Sequence, residues 1–265
     1  QYYDEIERLD RFVGDVLAEL EAQGVADHTL VVFLSDNGRP FPRDKTTLFE
    51  TGIKTPLIVR WPGRVAPGST CAQLVSTIDL APGFAVAAGL KPTSTMQGVS
   101  FLPLLAEAGT PIRREVWAEQ NWHDYAQRSR AVRTGHFKLI ANDYPDSALT
   151  PGADAVRSGG FRELLRLRTA GQLPPHQQQC FTLPRPAVEL YDLQADPGEL
   201  HNVAALPAYA AVLADLKARL DRWKVDTQDL APVRRSADEF DRVTGAPLPN
   251  RVRPRPGKVP AAPAK

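Results

Sequence analysis

Apolar positions recur at helical spacing in the first part of the chain. Over residues 2–23 they fall every three or four positions, and Gly24 follows as a helix stop. This spacing predicts a helix with a single buried face. The apolar run 29–34 then predicts a buried strand of a helix-flanked sheet, and 56–60 predicts a second strand. Residues 79–88 have the pattern of another helix.

The pattern changes after about residue 111, where shorter apolar runs replace the longer ones. Strand-like runs occur at 116–119, 130–133, 137–140 and 188–193, and 207–223 has helical spacing. We therefore expect residues 1–110 to belong to a larger α/β domain and 111–242 to form a small antiparallel subdomain with a terminal helix. Residues 243–265, rich in proline, arginine and lysine, have the composition of a disordered tail.

Composition narrows the classes of partner. The formal net charge of the 265 residues is +1, which gives no electrostatic reason to expect a nucleic-acid partner. No apolar run reaches the roughly 18 residues that a membrane span requires. The chain opens within a predicted helix, without an initiator methionine or a signal peptide. We therefore expect a fragment, and the compartment of the whole protein stays open.

The most informative stretch is the end of the first predicted strand, where Ser35, Asp36, Asn37 and Gly38 follow an apolar run. A carboxylate beside an amide oxygen offers two hard oxygen ligands of the kind that Ca²⁺ and Mg²⁺ prefer. Lys45 lies nine positions beyond Asp36 and could bring a cation to an anion held by such a metal. Taken alone, however, Asp-Asn-Gly after a strand is also an ordinary turn.

Several segments resemble the sulfatases of the alkaline-phosphatase-like superfamily, in the order in which that family has them. They read LVVFLSDNG followed by PFP, then FETGIKTPLIVRWPG, STIDLAPGFAVAAG, VRTGHFKLI and VELYDLQADPGELHNVA. Within the family, PFPRDKTTLFE, FRELLRLRTAGQ and LDRWKVDTQD look most like N-sulfoglucosamine sulfohydrolases, the sulfamidases. The resemblance implies an α/β fold, with the C-terminal part of a mixed sheet flanked by helices and a small antiparallel C-terminal subdomain.

The resemblance also implies roles for individual residues. Asp36 and Asn37 match metal ligands, with Ca²⁺ as the implied metal and Mg²⁺ as the alternative. Lys45 matches the basic catalytic residue that contacts the sulfate or the leaving group. The family's nucleophile is a formylglycine made from cysteine or serine, in a motif that lies N-terminal to the region seen here. Neither Cys71 nor Cys180 has that motif around it. We therefore expect this chain alone to bind the metal weakly and to be catalytically silent.

A second group of candidates follows the predicted strand at 116–119, where aromatic and polar residues alternate from Asn121 to Tyr125. His123 and Asp124 are candidate substrate-binding residues for a sulfated carbohydrate, since sugar sites combine aromatic surfaces with hydrogen-bonding groups. The alternative is an aromatic cluster that only packs the subdomain. For Arg130, the pattern favours the solvent face of a strand.

Two other functions stay open from the sequence. The first is a phosphodiesterase or phosphonate hydrolase of the same superfamily, which would differ in its upstream nucleophile. The second is a non-catalytic glycan-binding module that depends on Trp122 or His123 and not on a metal. Association into a homo-oligomer is a further open point.

Overall fold

The computed structural model describes residues 2–249 and residue 251. Its α-helices are α1 (Tyr2–Ala22), α2 (Glu50–Ile53), α3 (Leu80–Ala87), α4 (Pro103–Ala106), α5 (Ala153–Val156), α6 (Gly159–Thr169) and α7 (Ala210–Asp226). Its strands are β1 (Val31–Leu34), β2 (Leu57–Arg60), β3 (Glu115–Trp122), β4 (Ala126–Thr134), β5 (Phe137–Asn142) and β6 (Val188–Asp192). Short 3₁₀ turns precede α3 and α7. The described helices include none that is long and apolar enough to span a membrane.

The described chain divides into two compact units. The first unit comprises the chain up to Ser35 together with Pro56–Val116, and the second comprises Asp36–Thr55 together with the chain from Trp117 onward. The chain thus passes from the first unit to the second after β1, and it returns to the first unit before β2. The expected domains at 1–110 and 111–242 stay predictions. Of the expected tail, residues 243–249 are described, and Leu248 donates a backbone hydrogen bond to Glu239. The rest lies outside the described residues except Arg251.

In the first unit, β1 pairs antiparallel with β2, with Val31 opposite Arg60 and Leu34 opposite Leu57. Helix α1 forms where its spacing predicts it, but the expectation of a buried face is wrong, because no residue of α1 is buried. Strand β1 is likewise only partly buried, where a buried strand was expected. The apolar spacing that builds α1 is present, but the described residues do not cover it.

A buried aspartate organises the rest of the first unit. Asp79 is fully buried and accepts hydrogen bonds from the backbone N–H groups of Ser76 and Val99, each at 2.8 Å. The Arg113 guanidinium pairs with both of its carboxylate oxygens. Helix α3 begins directly after this aspartate, with Pro82 in its first turn, where the missing N–H is not needed.

The second unit contains a four-stranded antiparallel sheet in the order β3-β4-β5-β6. Alternation along its strands sends side chains to two opposite faces. One face carries a cluster of Leu48, Phe49, Ala131, Ile140, Leu149 and Tyr191. On the other face α7 packs over Val132, Leu139 and Leu190 through Leu216 and Leu220. The fold class is therefore α/β, as predicted, with the predicted antiparallel sheet and terminal helix present.

One arginine of β4 does not lie where the sequence pattern favours it. Arg130 is 2% exposed and donates two hydrogen bonds of 2.7 Å to the carboxylate of Asp229, just beyond α7. A further hydrogen bond from Arg130 reaches Asn121 on β3. The expectation of a solvent face fails here because the residues after α7 fold back over this part of the sheet and supply the compensating charge.

Candidate functional site

The segment that follows β1 presents the two predicted metal ligands. Asp36 is exposed and Asn37 is partly buried. The adjacent Gly38 donates its backbone N–H to the Gly52 carbonyl at 3.0 Å, and a Cβ atom at Gly38 would collide with the Thr51 carbonyl oxygen. Glycine is therefore required here because two backbone segments approach closely, whereas the sequence suggested only a sharp turn.

Lys45 lies in a turn whose backbone is held in an unusual conformation. Arg43 and Thr46 both have positive φ angles, 74° and 66°, which are costly for residues with side chains. Arg39 pairs with the buried carboxylate of Asp44 at 2.8 Å, and the Thr47 hydroxyl donates to the Arg43 carbonyl. These contacts fix the backbone on both sides of Lys45.

The Lys45 ammonium lies 3.3 Å from the carboxylate of Asp154 on α5. The lysine side chain is 30% exposed and that of Asp154 is 47% exposed, so solvent reaches both groups. Such an ion pair contributes little to stability and can exchange its partner readily. Lys45 is thus a cation that is anchored by its backbone and open to another anion.

His123 and Asp124 lie in the turn between β3 and β4, and both approach the start of α5. The buried Asp124 carboxylate accepts the backbone N–H of Ala153 at 2.7 Å, and His123 Nδ1 lies 3.1 Å from the same oxygen. A Cβ atom at Gly152 would lie 3.6 Å from Asp124 Oδ2, 3.8 Å from His123 Cε1 and 2.8 Å from Asp154 Oδ1. Gly152 therefore marks the point where these three side chains converge.

The structure thus brings three of the five predicted site residues to one place. Lys45 reaches this point through Asp154, while His123 and Asp124 reach it directly. Asp154 was not among the residues predicted from the sequence; it lies in the long connection between β5 and β6. Its only local signal is an acidic residue at the start of a short helix, a position that carboxylates often occupy for helix stability alone.

Asp36 and Asn37 suit a hard cation in donor type but not in number. Ca²⁺ takes about six to eight oxygen ligands, and these two residues supply two side chains. Among residues 2–249 and 251, no group of three or more His, Cys, Asp or Glu side chains could hold a metal ion. The described residues thus offer at most part of a metal site, and the assignment of Asp36 and Asn37 stays a prediction.

Trp122, beside His123, takes part in a different feature. A cavity of about 330 Å³ is lined by Trp122, Arg128, Arg130, Tyr144 and Asp229, among others. The Trp122 indole N–H donates to the Ala237 carbonyl at 3.0 Å, which ties it to the chain beyond α7. Trp122 is therefore part of the packing of this subdomain, whereas His123 and Asp124 contribute to the convergence at Gly152.

Both cysteines are free. Cys71 is exposed, and its thiol donates to the Ala108 carbonyl. Cys180 is buried, and burial raises the pKa of its thiol to about 11, so that the thiol stays protonated at neutral pH.

Known proteins share the fold of this chain and indicate its family. The fold is that of the alkaline-phosphatase-like hydrolases: the structure of BT4656 in complex with its substrate D-glucosamine-2-N,6-O-disulfate superposes with a TM-score of 0.65 at 25% sequence identity. The alignment covers 86% of this chain and 40% of that one. Phosphonate monoester hydrolases also share the fold.

Residues 41–147 match the family model of the C-terminal region of N-sulphoglucosamine sulphohydrolase. An ulvan-active sulfatase of Formosa agariphila is 36% identical over 223 residues, which covers 83% of this chain and 37% of the relative. The human N-sulphoglucosamine sulphohydrolase is 33% identical over 240 residues, covering 86% of this chain and 47% of the relative. The chain belongs to the sulfatase family and corresponds to the C-terminal part of its members. It spans less than half the length of either relative.

Proposed function

We propose that this chain is the C-terminal part of a sulfatase that hydrolyses a sulfate ester or a sulfamate on a sugar. In this proposal Lys45 contacts the sulfate group, and His123 and Asp124 contact the sugar that carries it. The relatives support this substrate class, since one is active on ulvan and another is named for N-sulphoglucosamine. The observation that carries the proposal is the convergence of these side chains around Gly152 and Asp154.

The electrostatics of Lys45 suit this role. Its ammonium group supplies up to three N–H donors, and in the structure its partner is a solvent-accessible carboxylate. A sulfate oxygen, like a carboxylate oxygen, is an anionic hydrogen-bond acceptor, and its negative charge changes during hydrolysis. A cation fixed beside it stabilises the charge that develops on the transferring group. Asp154 then serves as the resting partner of Lys45.

Asp36 and Asn37 are proposed as two ligands of a Ca²⁺ ion in the complete enzyme, with Mg²⁺ as the alternative. When bound, such an ion neutralises charge on the sulfate oxygens. Asp36 is exposed, so its carboxylate is accessible to such an ion. Hydrolysis further requires the formylglycine nucleophile, which the family places outside this region, so we expect no turnover from residues 1–265 alone. Measurable sulfatase turnover by this chain would contradict that expectation.

The binding part of the proposal is testable with the chain itself. Glucosamine N-sulfate and unsulfated glucosamine are titrated against the chain by NMR in millimolar Ca²⁺. We expect preferential binding of the sulfated sugar, and a weakening of about tenfold or more in Lys45→Ala, since a charged hydrogen bond contributes about 1.5–3 kcal/mol. Lys54→Ala is the matched control, because Lys54 is an exposed lysine of the same segment. Equal binding of the two sugars, or equal effects of the two variants, would refute the proposal.

The same titration separates the alternatives. A non-catalytic glycan-binding module predicts binding that a chelator does not change, that Trp122→Ala or His123→Ala abolishes, and that Asp36→Ala leaves intact. A phosphonate or phosphodiester hydrolase predicts tighter binding of a phosphorylated sugar than of its sulfated counterpart. In a gene that continues upstream of Gln1, a cysteine or serine in the formylglycine motif favours sulfate as the substrate, and a threonine favours phosphate.

A further inference from the structure

A buried ionic cluster lies beneath the segment that carries Lys45. It consists of Lys138 on β5, Glu50 at the start of α2 and Glu199 in the loop after β6. The Lys138 side chain is fully buried. Its ammonium lies 2.7 Å from Glu50 Oε1 and 2.8 Å from Glu199 Oε1, and it donates to the Leu48 carbonyl at 3.2 Å. The buried cation thus lies within ion-pair distance of two carboxylates and donates a hydrogen bond to a backbone carbonyl.

The ionic cluster connects the sheet to the segment 36–55 at several points. The second oxygen of Glu199 accepts the backbone N–H of Glu50 at 2.5 Å, and the Glu199 carbonyl accepts Arg43 Nη2 at 2.5 Å. The Arg43 guanidinium also lies 4.0 Å above the Phe49 ring. Arg133 on β4 approaches the outer oxygen of Glu50 at 3.3 Å. These contacts reach Arg43, Phe49 and Glu50, which all belong to the segment 36–55 that carries Lys45.

The conformation of the turn requires such support. Arg43 and Thr46 are both in the left-handed region, and so is Glu199, with a φ of 53°. Non-glycine residues persist there only when surrounding contacts outweigh the conformational cost, and for a β-branched residue such as threonine the conformation is rare. Gln120 on β3 donates to the Thr46 carbonyl and holds the turn from the other side.

The two carboxylates differ in their response to Lys138. Burial alone would raise the pKa of Glu50, but Lys138 and Arg133 outweigh it and lower that pKa. For Glu199, burial prevails and raises the pKa above its usual value despite Lys138. Glu199 is thus the member whose charged form burial disfavours more. It is the informative residue to change because it joins Lys138 to both Glu50 and Arg43.

We propose that Lys138, Glu50 and Glu199 are positioning residues that hold the Arg43–Thr46 turn in its strained conformation and thereby place Lys45 beside Asp154. The role assigned to Lys45 rests on the proposed function, but the positioning itself does not. Two carboxylates and one lysine buried beside the sheet contribute little net stability to a fold, because well-packed apolar residues of similar volume usually stabilise it as well. We assign the ionic cluster a different role, which is to favour one backbone conformation of the Arg43–Thr46 turn.

The test is hydrogen exchange on the 265-residue chain, with Glu199→Gln as the variant. Glutamine keeps an oxygen for the Glu50 N–H but removes the charge facing Lys138. We expect amides of residues 43–53 to exchange at least about tenfold faster, while those of β5 keep their protection. Acetylation of Lys45, measured by mass spectrometry relative to the exposed Lys217, should rise in the same variant.

Glu189→Gln is the matched control. Glu189 is also a buried glutamate of the second unit, but its polar partners are Arg185, Asn142 and Tyr191. None of these described hydrogen bonds and ion pairs reaches the segment 36–55. If Glu189→Gln loosens residues 43–53 as much as Glu199→Gln does, the ionic cluster is only structural and the proposal fails. Unchanged exchange in Glu199→Gln also overturns it.

If Glu199→Gln does not fold, Arg43→Met replaces it. This variant leaves the ionic cluster intact and removes the contacts of the Arg43 guanidinium with the Glu199 carbonyl, Gln179 and the Phe49 ring. Faster exchange in 43–53 is again expected, and its absence overturns the proposal. Neither readout depends on sulfated sugar. A loosened turn together with no effect of Lys45→Ala on sugar binding would therefore uphold the positioning role and refute the proposed function.

Discussion

The two units of this chain use apolar residues very differently. In the second unit, the sheet has a closed apolar cluster on each face, and residues such as Leu139, Ile140 and Leu190 are fully buried. In the first unit, α1 has the same helical spacing as α7 but no buried residue, and Ile6, Leu9 and Val16 are about half exposed. The difference shows that periodicity specifies an element, whereas burial requires a second surface to pack against it.

The largest effect is expected where charge is buried in the second unit. Asp229→Asn removes the carboxylate that accepts two hydrogen bonds from the buried Arg130 guanidinium, and loss of one partner of a buried pair costs about 3–5 kcal/mol. Urea unfolding followed by near-UV circular dichroism is the measurement, since the stacked pair Trp117–Trp223, 5.4 Å apart, reports on this unit. A loss below about 1 kcal/mol would place this pair with surface ion pairs.

The same aspartate predicts a pH dependence. Hydrogen bonds from Arg130 lower the pKa of Asp229 below its usual value. Its stabilising contribution is therefore fully present above the unfolded-state pKa of about 4 and is lost as the pH falls through the lower folded-state pKa. In Asp229→Asn the loss of stability on acidification should be shallower than in the parent. Equal slopes between about pH 5 and pH 2 would contradict this assignment.

The next largest loss of unfolding free energy is expected from Leu190→Ala. Leu190 is fully buried against α7, and deletion of a buried leucine side chain costs about 2–5 kcal/mol through lost burial and the cavity that forms. Urea unfolding with the same spectroscopic signal gives the value. A cost similar to that of Leu9→Ala would erase the distinction between the two units.

A smaller loss is expected from Gly83→Ala in the first unit. A Cβ atom at Gly83 would overlap the ring of Phe101, which is buried. Overpacking of this kind costs about 1–3 kcal/mol. Trp61 is the only tryptophan of the first unit, so a variant with the other three tryptophans replaced by phenylalanine allows its fluorescence to follow unfolding there. An unchanged midpoint would show that this part of the first unit lacks fixed packing.

The smallest change in stability is expected in α1, and it tests the difference between the two units most directly. Leu9→Ala should change the free energy of unfolding by less than about 0.5 kcal/mol, because Leu9 is 49% exposed and alanine favours the helix. Helicity by far-UV circular dichroism and the urea midpoint are both measured. A cost above about 1 kcal/mol would mean that α1 is covered in solution, for example by a second copy, which a concentration series would reveal.

Much of the local structure followed from the sequence alone. The spacing of apolar residues located α1, β1, β2 and α7, and the short runs after residue 111 located the antiparallel strands, because side-chain periodicity is a local property. The ordered motifs also indicated the family. For the candidate site, the sequence predicted Lys45, His123 and Asp124 without showing that they lie near one another.

Only the tertiary structure decided which residues share a site and what holds them there. Asp154 and the ionic cluster of Glu50, Lys138 and Glu199 join residues that lie far apart along the chain, and nothing in their local sequence marks them as partners. Arg130 likewise reads as a surface residue until Asp229 folds over it. Charges become buried or functional through their neighbours in space, whereas helices and strands arise from neighbours along the chain.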